Sequence, residues 1–421
     1  MLICGLKLKI FYEVFTKLSL LFLFDSLHKL LIYSIMYDDY YEEVCPLIAY
    51  LDNSATTKPC QKAKEKMIEA IENCWGNPSS LHSKGIDADM LLLSSRRTVA
   101  KCLSCDEKEI YFTSGGTESN NIAVFGAAYA GKRKGNKIIT SAIEHPSVHK
   151  CFDKLESEGF QVVKIGVDSK GMLNLEELER EIDEKTVLVS IMAVNNEVGT
   201  IEPFSEIKNI IKRKNSPALI HIDAVQAFGK LPLNVKKIGA DLMSVSSHKI
   251  HGPKGVGALF IKNGTKLSPR IFGGGQEKDI RPGTEPMPAI AGFAGAVEEL
   301  NIRNSLEKMT ALRDEFVNDL RAIDGVIINS PDDALPYIVN VSLSGLRSET
   351  VLNLMSQMGI YVSSGSACAK GHKSHVLTAM GLDDSLIDSS LRVSLSRFTT
   401  KEELQYFIEG VNKALTTIMK R

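Results

Sequence analysis

One lysine of the sequence stands where its amine could form a covalent bond to an aldehyde. Lys249 lies in "SVSSHKIHGPKGVGALF" (244–260), directly after Ser-Ser-His and before a turn rich in Gly and Pro. Lysine amines condense with aldehydes once deprotonated, and lysines that do so occupy shaped, partly desolvated sites. Taken alone, Lys249 also fits an ordinary turn lysine, so the neighbouring segments must decide between the two interpretations.

Two polar residues of "HIDAVQAFGK" (221–230) could bind the same aldehyde compound as Lys249. Asp223 ends a predicted buried strand, and open parallel sheets bind ligands at the carboxyl ends of their strands. An acid there suits the protonated ring nitrogen of pyridoxal phosphate (PLP), an aldehyde cofactor, although a cap for the following helix would also use it. Gln226, three residues further on, is within reach of the ring hydroxyl.

A glycine-rich turn is the candidate phosphate site. "YFTSGGTESNNIAV" (111–124) is predicted as a strand, a Ser-Gly-Gly-Thr turn and a helix, which presents free backbone N–H groups and hydroxyls. It is neither a Walker loop nor a G-x-G-x-x-G fingerprint, so nucleotide binding is not indicated. Gly116 and Thr117 would hold the phosphate, with Ser246 and His248 closing from the opposite side.

His145 is the candidate for a ring that stacks on a flat cofactor. It lies in "AIEHPSVHK" (142–150), directly after another predicted strand. A helix cap is the alternative role for this histidine, and the segment alone does not decide between them.

A cysteine without apolar neighbours is the second chemical candidate. "SSGSACAKGHKSH" (363–375) places Cys368 among small and basic residues, where nothing would pack it into a core. Eight cysteines scattered without a framework indicate a reducing compartment, so a disulfide is not expected either. Cys102 and Cys105 form a C-x-x-C pair, but no second pair or histidine cluster completes a zinc site, and we interpret them as structural.

The composition excludes several classes of protein. The chain has 421 residues and a net charge of -1, so no global field would attract nucleic acid or acidic membranes. The apolar runs 18–24 and 30–37 are separated by charged residues and are shorter than a bilayer span. We expect a cytoplasmic protein in which residues 1–45 are a dispensable or mis-assigned extension; an interfacial helix and a membrane anchor are the alternatives.

Strands that alternate with helices must position these residues. Short apolar runs predict buried strands at 109–113, 137–140, 187–194, 218–223, 241–246 and 256–261. Amphipathic stretches predict helices at 119–130 and 204–214, a long helical region at 289–323, and a further strand at 337–343. This order predicts an α/β fold with a mostly parallel central sheet and a smaller α+β domain.

Together the motifs resemble those of the cysteine desulfurases, NifS/IscS-like enzymes of PLP fold type I in the class-V aminotransferase-like family. The resemblance extends from about Tyr50 to Phe398 and rests on the order and spacing of "YLDNSATT", "GNPSSLH", "FTSGGTESNN", "EHPSV", "NNEVGTIEP", "HIDAVQAFGKLP", "SSHKIHGPKGVGAL", "RPGTEP", "SSGSACA" and "LRVSLSRFT". It implies a large PLP-binding domain (61–304), a small domain (46–60 and 305–421) that carries the cysteine loop, and no counterpart for residues 1–45.

The resemblance also implies a role for each site residue. Catalysis would rest on Cys368 as the nucleophile, Lys249 as the Schiff-base lysine and proton shuttle, and His145. The cofactor would contact Lys249, Gly116, Thr117, His145, Asn196, Asp223, Gln226, Ser246, His248 and, from a second subunit, Thr284. Asn196 and Arg392 would bind the substrate, the arginine because its guanidinium fork suits a carboxylate. No resident metal is expected, and Cys368 is the one residue that would ligate an iron–sulfur cluster during transfer.

The reaction implied is conversion of L-cysteine to L-alanine with sulfur held as a persulfide on Cys368. A homodimer would then pass the sulfur to an acceptor protein for iron–sulfur cluster assembly or tRNA thiolation. Selenocysteine lyase, a related aminotransferase, and a PLP-binding regulator or scaffold are the alternatives. A regulator would be expected to lose Lys249, Cys368 or Arg392, and all three are present.

Overall fold

The protein is described from a computed structural model, which covers residues 47–364 and 373–419. Contacts between residues group Ala49–Arg421 into one compact unit. The predicted extension (1–45) and Cys368 lie outside the described residues. The division into a large and a small domain remains a prediction.

The described elements alternate strands and helices along much of the chain. The strands are β1 (Ala49–Tyr50), β2 (Ile110–Thr113), β3 (Lys137–Ser141), β4 (Gln161–Ile165), β5 (Thr186–Met192), β6 (Leu219–Asp223), β7 (Leu242–Ser246), β8 (Gly257–Ile261), β9 (Val326–Ile328), β10 (Ile338–Leu343), β11 (Ile360–Tyr361), β12 (Ser363–Ser364) and β13 (Ser390–Ser394). The helices are α1 (Gln61–Asn73), α2 (Ser83–Leu103), α3 (Gly116–Gly131), α4 (Pro146–Ser157), α5 (Leu175–Glu181), α6 (Phe204–Arg213), α7 (Val235–Ile238), α8 (Met287–Glu298), α9 (Ile302–Arg321), α10 (Ser348–Gln357), α11 (His375–Ala379), α12 (Asp384–Asp388) and α13 (Lys401–Thr417).

The central sheet has the strand order β2-β8-β7-β6-β5-β3-β4. β8 runs antiparallel to both of its neighbours, and the remaining pairs are parallel. Every residue of β5 is buried, as expected for a strand covered on both faces. The predicted α/β class with a mostly parallel sheet is therefore confirmed, and the carboxyl ends of β3, β5, β6 and β7 lie at one edge.

A buried histidine joins three strands of this sheet. His221 on β6 bonds through Nδ1 to Ser190 Oγ on β5 at 2.7 Å and through Nε2 to Ser244 Oγ on β7 at 3.0 Å. Complete burial lowers the pKa of His221 to about 3, so the ring is neutral. The two hydrogen bonds satisfy a polar group that would otherwise be costly to bury, and they fix the strands that end at the predicted site.

A smaller antiparallel sheet of order β12-β13-β10-β9 lies in the C-terminal part of the chain. β1 pairs in parallel with β11, with Ala49 opposite Ile360, so the start of the described chain is joined to this region. Among residues 47–364 and 373–419, no helix combines the length and the hydropathy needed to span a bilayer.

The predicted long helical region at 289–323 is helical and consists of two helices, α8 and α9. Asn301 separates them: it leaves helical geometry and its side chain accepts a hydrogen bond from the N–H of Asn304. Such a cap satisfies an N–H group that the first turn of α9 leaves without an intrahelical partner. β4 was not predicted, because this edge strand is short and mostly not fully buried.

Candidate active site

Asp223 is a buried carboxylate held in one orientation at the end of β6. It is 5% exposed, and its Oδ2 accepts a hydrogen bond of 2.7 Å from Asn120 Nδ2. Its Oδ1 accepts one of 3.0 Å from the N–H of Val225, which is the local capping role considered above. The capping bond leaves the carboxylate at the strand-end edge, so the geometry is compatible with a bond to a protonated ring nitrogen as well.

Lys249 follows β7 in a single 3-10 turn, Ser247–Lys249. Its Nζ donates to the carbonyl oxygens of Ser54 and Ala55 at 2.5 and 2.9 Å. These carbonyls belong to the loop after β1, so the amine is held by a segment distant in sequence. The lysine is oriented by its surroundings, which an unconstrained turn lysine would not require.

His145 follows β3 and caps α4. Its Nδ1 accepts from the N–H of Ser147 at 3.2 Å and lies 2.8 Å from Ser147 Oγ. Burial lowers the pKa of His145, opposed by the charge of Asp223 and assisted by that of Lys249. The imidazole ring is therefore neutral and lies near the charges of Asp223 and Lys249. It caps α4 and is also placed where it could stack on a flat cofactor.

The start of α3 forms an anion cradle of the predicted kind. Gly115 has a φ of 147°, which favours glycine, and a Cβ on it would lie 3.8 Å from Ser246 Oγ. That hydroxyl is buried and has no hydrogen-bond partner among the described residues. Gly116 and Thr117 open the helix, where backbone N–H groups attract anions.

His248 belongs to the same turn as Lys249. Its Nδ1 lies 3.2 Å from Thr56 Oγ1, and burial, followed by the charge of Lys249, lowers its pKa to about 4. The ring is thus neutral near pH 7. Thr284, by contrast, lies in the loop before α8 and is exposed; among the described residues it has no hydrogen bond to the other predicted site residues.

Arg392, on β13, brings the small sheet to the end of β5. Its Nη2 donates to Asp52 Oδ1 at 2.9 Å, and its Nη1 donates to the carbonyl of Asn196 at 3.2 Å. The arginine is 5% exposed, and its Nε is buried without a partner among the described residues. A guanidinium with an unsatisfied donor beside Asn196 is suited to bind a substrate carboxylate.

Sequence reasoning missed Glu197, which lies directly after Asn196. Ser374 Oγ donates to Glu197 Oε2 at 2.5 Å and also caps α11, accepting from the N–H of Leu377. Burial raises the pKa of Glu197 to about 7, opposed by the hydrogen bond from Ser374 and by the charge of Arg392. The available signal in the sequence was a carboxylate directly after Asn196, inside the motif "NNEVGTIEP".

Cys368 lies outside the described residues, but the chain on both sides of it borders the site. Ser363 pairs with Arg392 across β12 and β13, and its Oγ donates to Asp52 at 2.8 Å. On the other side, Ser374 bonds Glu197 as described above. Both flanking segments are thus fixed to residues that contact Arg392 or adjoin Asn196.

The C-x-x-C pair, Cys102 and Cys105, is in an environment that disfavours the thiolate form. Burial raises the pKa of Cys102 to about 11 and that of Cys105 to about 12, so both thiols are protonated near neutral pH. Both pack against the main core. In the described part of the chain, no group of three or more His, Cys, Asp and Glu residues is arranged to hold a metal ion.

The residues of this edge fit PLP. The orphaned hydroxyl of Ser246 and the glycine turn suit a phosphate, the buried carboxylate of Asp223 suits a ring nitrogen, and Lys249 supplies an amine. These groups come from β2, β6 and β7, so the site depends on the sheet and not on one segment.

Comparison with known proteins places the fold and site in a family. Residues 49–407 match the family described as Aminotransferase class-V, and the chain belongs to this family. It is 42% identical over 374 residues to a "Cysteine desulfurase IscS" of Clostridium botulinum, covering 87% of this chain and 94% of that protein. It is 44% identical over 372 residues to a "NifS/IcsS protein homolog" of Lactobacillus delbrueckii subsp. bulgaricus, covering 86% and 96%.

Solved structures agree. A "NIFS-LIKE PROTEIN" superposes with a TM-score of 0.84 at 40% identity, covering 88% of this chain and 100% of the other. A NifS-like protein from Rickettsia africae gives a TM-score of 0.78 at 34% identity, covering 88% and 100%. The enzyme is a PLP-dependent cysteine desulfurase that acts on L-cysteine, as the sequence predicted.

Proposed function

We propose that the enzyme transfers the sulfur of L-cysteine to Cys368 as a persulfide and releases L-alanine. The observation that carries this proposal is the arrangement of Lys249, Asp223 and Arg392 at one edge. The charges of all three act on the half-buried ring of His145, so an amine, an acid and a guanidinium share one electrostatic environment. This arrangement can hold a cofactor and an amino acid together.

We assign each cofactor-binding residue the role that the family resemblance implies, and its surroundings support that role. Asp223 would bind the ring nitrogen, Gln226 the ring oxygen, and His145 would stack on the ring. Four residues would hold the phosphate: Gly116, Thr117, Ser246 and His248. When bound, PLP supplies an electron sink that weakens the Cβ–S bond of the substrate.

The remaining steps belong to the chain's own residues. Arg392 and Asn196 would hold the substrate carboxylate, and Lys249 would move a proton to and from the substrate carbon. The Cys368 thiolate attacks the substrate sulfur, so that an S–S bond forms as the Cβ–S bond breaks, and protonation of the carbon yields alanine. One cysteine and one protein thiol thus become one alanine and one protein persulfide.

We propose a homodimer in which Thr284 of the partner subunit completes the phosphate site. Large apolar side chains are exposed on α1, α2 and their connection, and in the loop after β8: Ile68, Ile71, Trp75, Leu81, Ile86, Met90 and Phe272. Trp75 is 67% exposed and Leu81 97% exposed. Clustered exposed apolar side chains indicate a protein interface, and the exposure of Thr284 agrees with contact to another subunit.

Sulfur-acceptor proteins are the expected partners, and we propose that they serve iron–sulfur cluster assembly or tRNA thiolation in the cytoplasm. The persulfide is the donor, and Cys368 would be the residue that contacts an iron–sulfur cluster in transfer. The near-zero net charge gives no basis for direct nucleic-acid binding.

Borohydride reduction tests the assignment of Lys249. The purified enzyme should be yellow, and reduction should fix the cofactor to the peptide that contains Lys249. Lys249→Ala should lose the covalent label and nearly all alanine release, because it removes both the amine and the proton carrier. Lys254→Ala, five residues further on and exposed, is the matched control and should retain both. A label on any other lysine would contradict the proposal.

A further inference from the structure

A second lysine lies behind the site and has no role in the proposal above. Lys230 is 6% exposed, and its Nζ lies 5.6 Å from the ring centroid of Tyr337. Among residues 47–364 and 373–419, no carboxylate lies within ion-pair distance of it. Burial, and then the charges of Lys249 and Arg392, lower its pKa to about 7. A buried lysine without a carboxylate is costly, so its contacts call for an explanation.

The side chain of Gln226 is the hydrogen-bond partner of this lysine. Lys230 Nζ donates to Gln226 Oε1 at 3.1 Å, and Gln226 Nε2 donates to the carbonyl of Ser54 at 3.0 Å. The same carbonyl accepts from Lys249 Nζ. A chain of contacts therefore runs from Lys230 through Gln226 and Ser54 to the Schiff-base lysine.

Both partners require the same orientation of the amide. A carbonyl oxygen only accepts hydrogen bonds, so Ser54 must face the NH₂ group, while an ammonium only donates, so Lys230 must face the oxygen. A flipped amide would set its oxygen against the Ser54 carbonyl and its NH₂ group against Lys230. Without Lys230, only the Ser54 bond would hold the orientation.

We propose that Lys230 is a positioning residue that locks the Gln226 amide with its NH₂ group toward the cofactor. One N–H bonds Ser54, and the second is left as a donor for an oxygen of the cofactor ring. The inference rests on the proposed function, since it takes the role of Gln226 as given. The inference extends the proposed role of Gln226. With its amide flipped, Gln226 would present its own oxygen, an acceptor, to the oxygen of the cofactor ring.

The pH titration of the bound cofactor's absorbance tests this role. The absorbance of lysine-bound PLP changes as the linking nitrogen loses its proton, and a donor to the ring oxygen favours that loss by stabilising negative charge. Lys230→Met keeps an unbranched apolar chain, one atom shorter, and removes the N–H donor to Gln226. The midpoint should rise by about half a unit to one unit, the size of one hydrogen bond. An unchanged midpoint would overturn the inference.

A double-mutant cycle shows whether the effect passes through Gln226. In the Gln226→Ala background, Lys230→Met should move the midpoint no further, because the amide that it orients is gone. Additive shifts would mean that Lys230 acts directly through its charge, and would refute the positioning role. If Lys230→Met does not fold, Lys230→Leu, which also lacks a hydrogen-bond donor, enters the same cycle with the same expected outcome.

Lys137→Met is the matched control for loss of a buried lysine. Lys137 is also 6% exposed but bonds Glu181 and Asp183, away from the site. It should lower the urea midpoint of the protein and leave the absorbance midpoint unchanged. A normal midpoint in Gln226→Ala would refute the role of Gln226 in the proposed function, whereas a shift in Gln226→Ala without one in Lys230→Met would refute only the inference.

Discussion

Glu197 ties the residue beside the substrate site to the chain that follows Cys368. Its carboxylate accepts the Ser374 hydroxyl, so α11 is joined to the loop after β5. The carboxyl is nine-tenths or more buried, and its pKa of about 7 lies above the usual 4.5. The enzyme therefore carries a group at this junction that changes charge near neutral pH.

A raised carboxyl pKa stabilises the fold at low pH, where the group is protonated in the folded state. This contribution is complete below about pH 4.5 and is lost as pH rises toward about 7. Glu197→Gln keeps an oxygen acceptor for Ser374 and has no charge. The free energy of unfolding of wild type should fall relative to the variant between pH 5 and pH 8, by on the order of 3 kcal/mol.

Urea unfolding of both proteins across that range measures the difference. Glu179→Gln is the control, because this carboxyl is exposed and paired with Arg213. It should show no such trend above pH 5. A wild-type curve parallel to that of Glu197→Gln would contradict the raised pKa.

The sequence was sufficient to predict the site residues that directly follow strands. It was not sufficient for residues whose surroundings depend on tertiary contacts. Asp223 and His145 follow apolar runs, and residues at the carboxyl ends of parallel strands share an edge, so their grouping follows from local pattern. The Glu197–Ser374 bond joins positions 177 residues apart, and no periodicity predicts such a pair. The local sequence around Lys230 is typical of a surface lysine. Only its packing against Tyr337 shows that the side chain is buried.

At the scale of elements, the turn between β2 and α3 sets the geometry of the proposed phosphate site. Gly115 adopts a φ of 147° and a ψ of -173°, a region that is open almost only to glycine. Gly116 has no room either, since a Cβ on it would lie 2.6 Å from Val225 Cγ2. Both positions therefore favour glycine, Gly115 for its backbone conformation and Gly116 for its close approach to Val225.

Gly115→Ala should destabilise the fold by about 1–3 kcal/mol and weaken PLP retention, because the strained turn would shift away from the phosphate. Gly264→Ala is the matched control: its φ is 86° and nothing lies within 4 Å of the added carbon. It should cost stability but leave the cofactor in place. Dialysis followed by absorbance measures retention, and equal retention in the two variants would contradict the cradle.

At the scale of the whole molecule, the apolar surface of α1 and α2 predicts the subunit contact. Leu81→Glu combined with Trp75→Glu places two charges on it, which an interface would have to desolvate. The double variant should shift from dimer to monomer in light scattering and retain less PLP, since Thr284 of the partner subunit would be lost. Met419→Glu, at a residue 91% exposed, should do neither. A dimer that persists in the double variant would contradict this surface assignment.

The order of elements made the α/β class predictable, because each apolar run and amphipathic stretch is a local feature. The packing of β1 on β11 was not predictable in this way, since it pairs residues 49–50 with the distant residues 360–361. Asp52, which contacts Arg392, directly follows β1, and the Arg392 contact to Asn196 joins the small sheet to the loop after β5. The substrate side of the site is thus a property of the assembled molecule.

The persulfide on Cys368 is the central claim, and mass spectrometry of the enzyme after one turnover tests it most directly. Cys368→Ser keeps side-chain size, but its hydroxyl is barely ionised and attacks sulfur poorly. The variant should bind PLP and change colour with L-cysteine, because Lys249, Asp223 and Arg392 are intact. It should release almost no alanine and carry no added sulfur. In wild type, and in control variants with serine at Cys102 or Cys151, the peptide with Cys368 should gain about 32 Da per subunit. This is the mass of one sulfur atom. Added sulfur on another cysteine, or wild-type turnover by Cys368→Ser, would contradict the account.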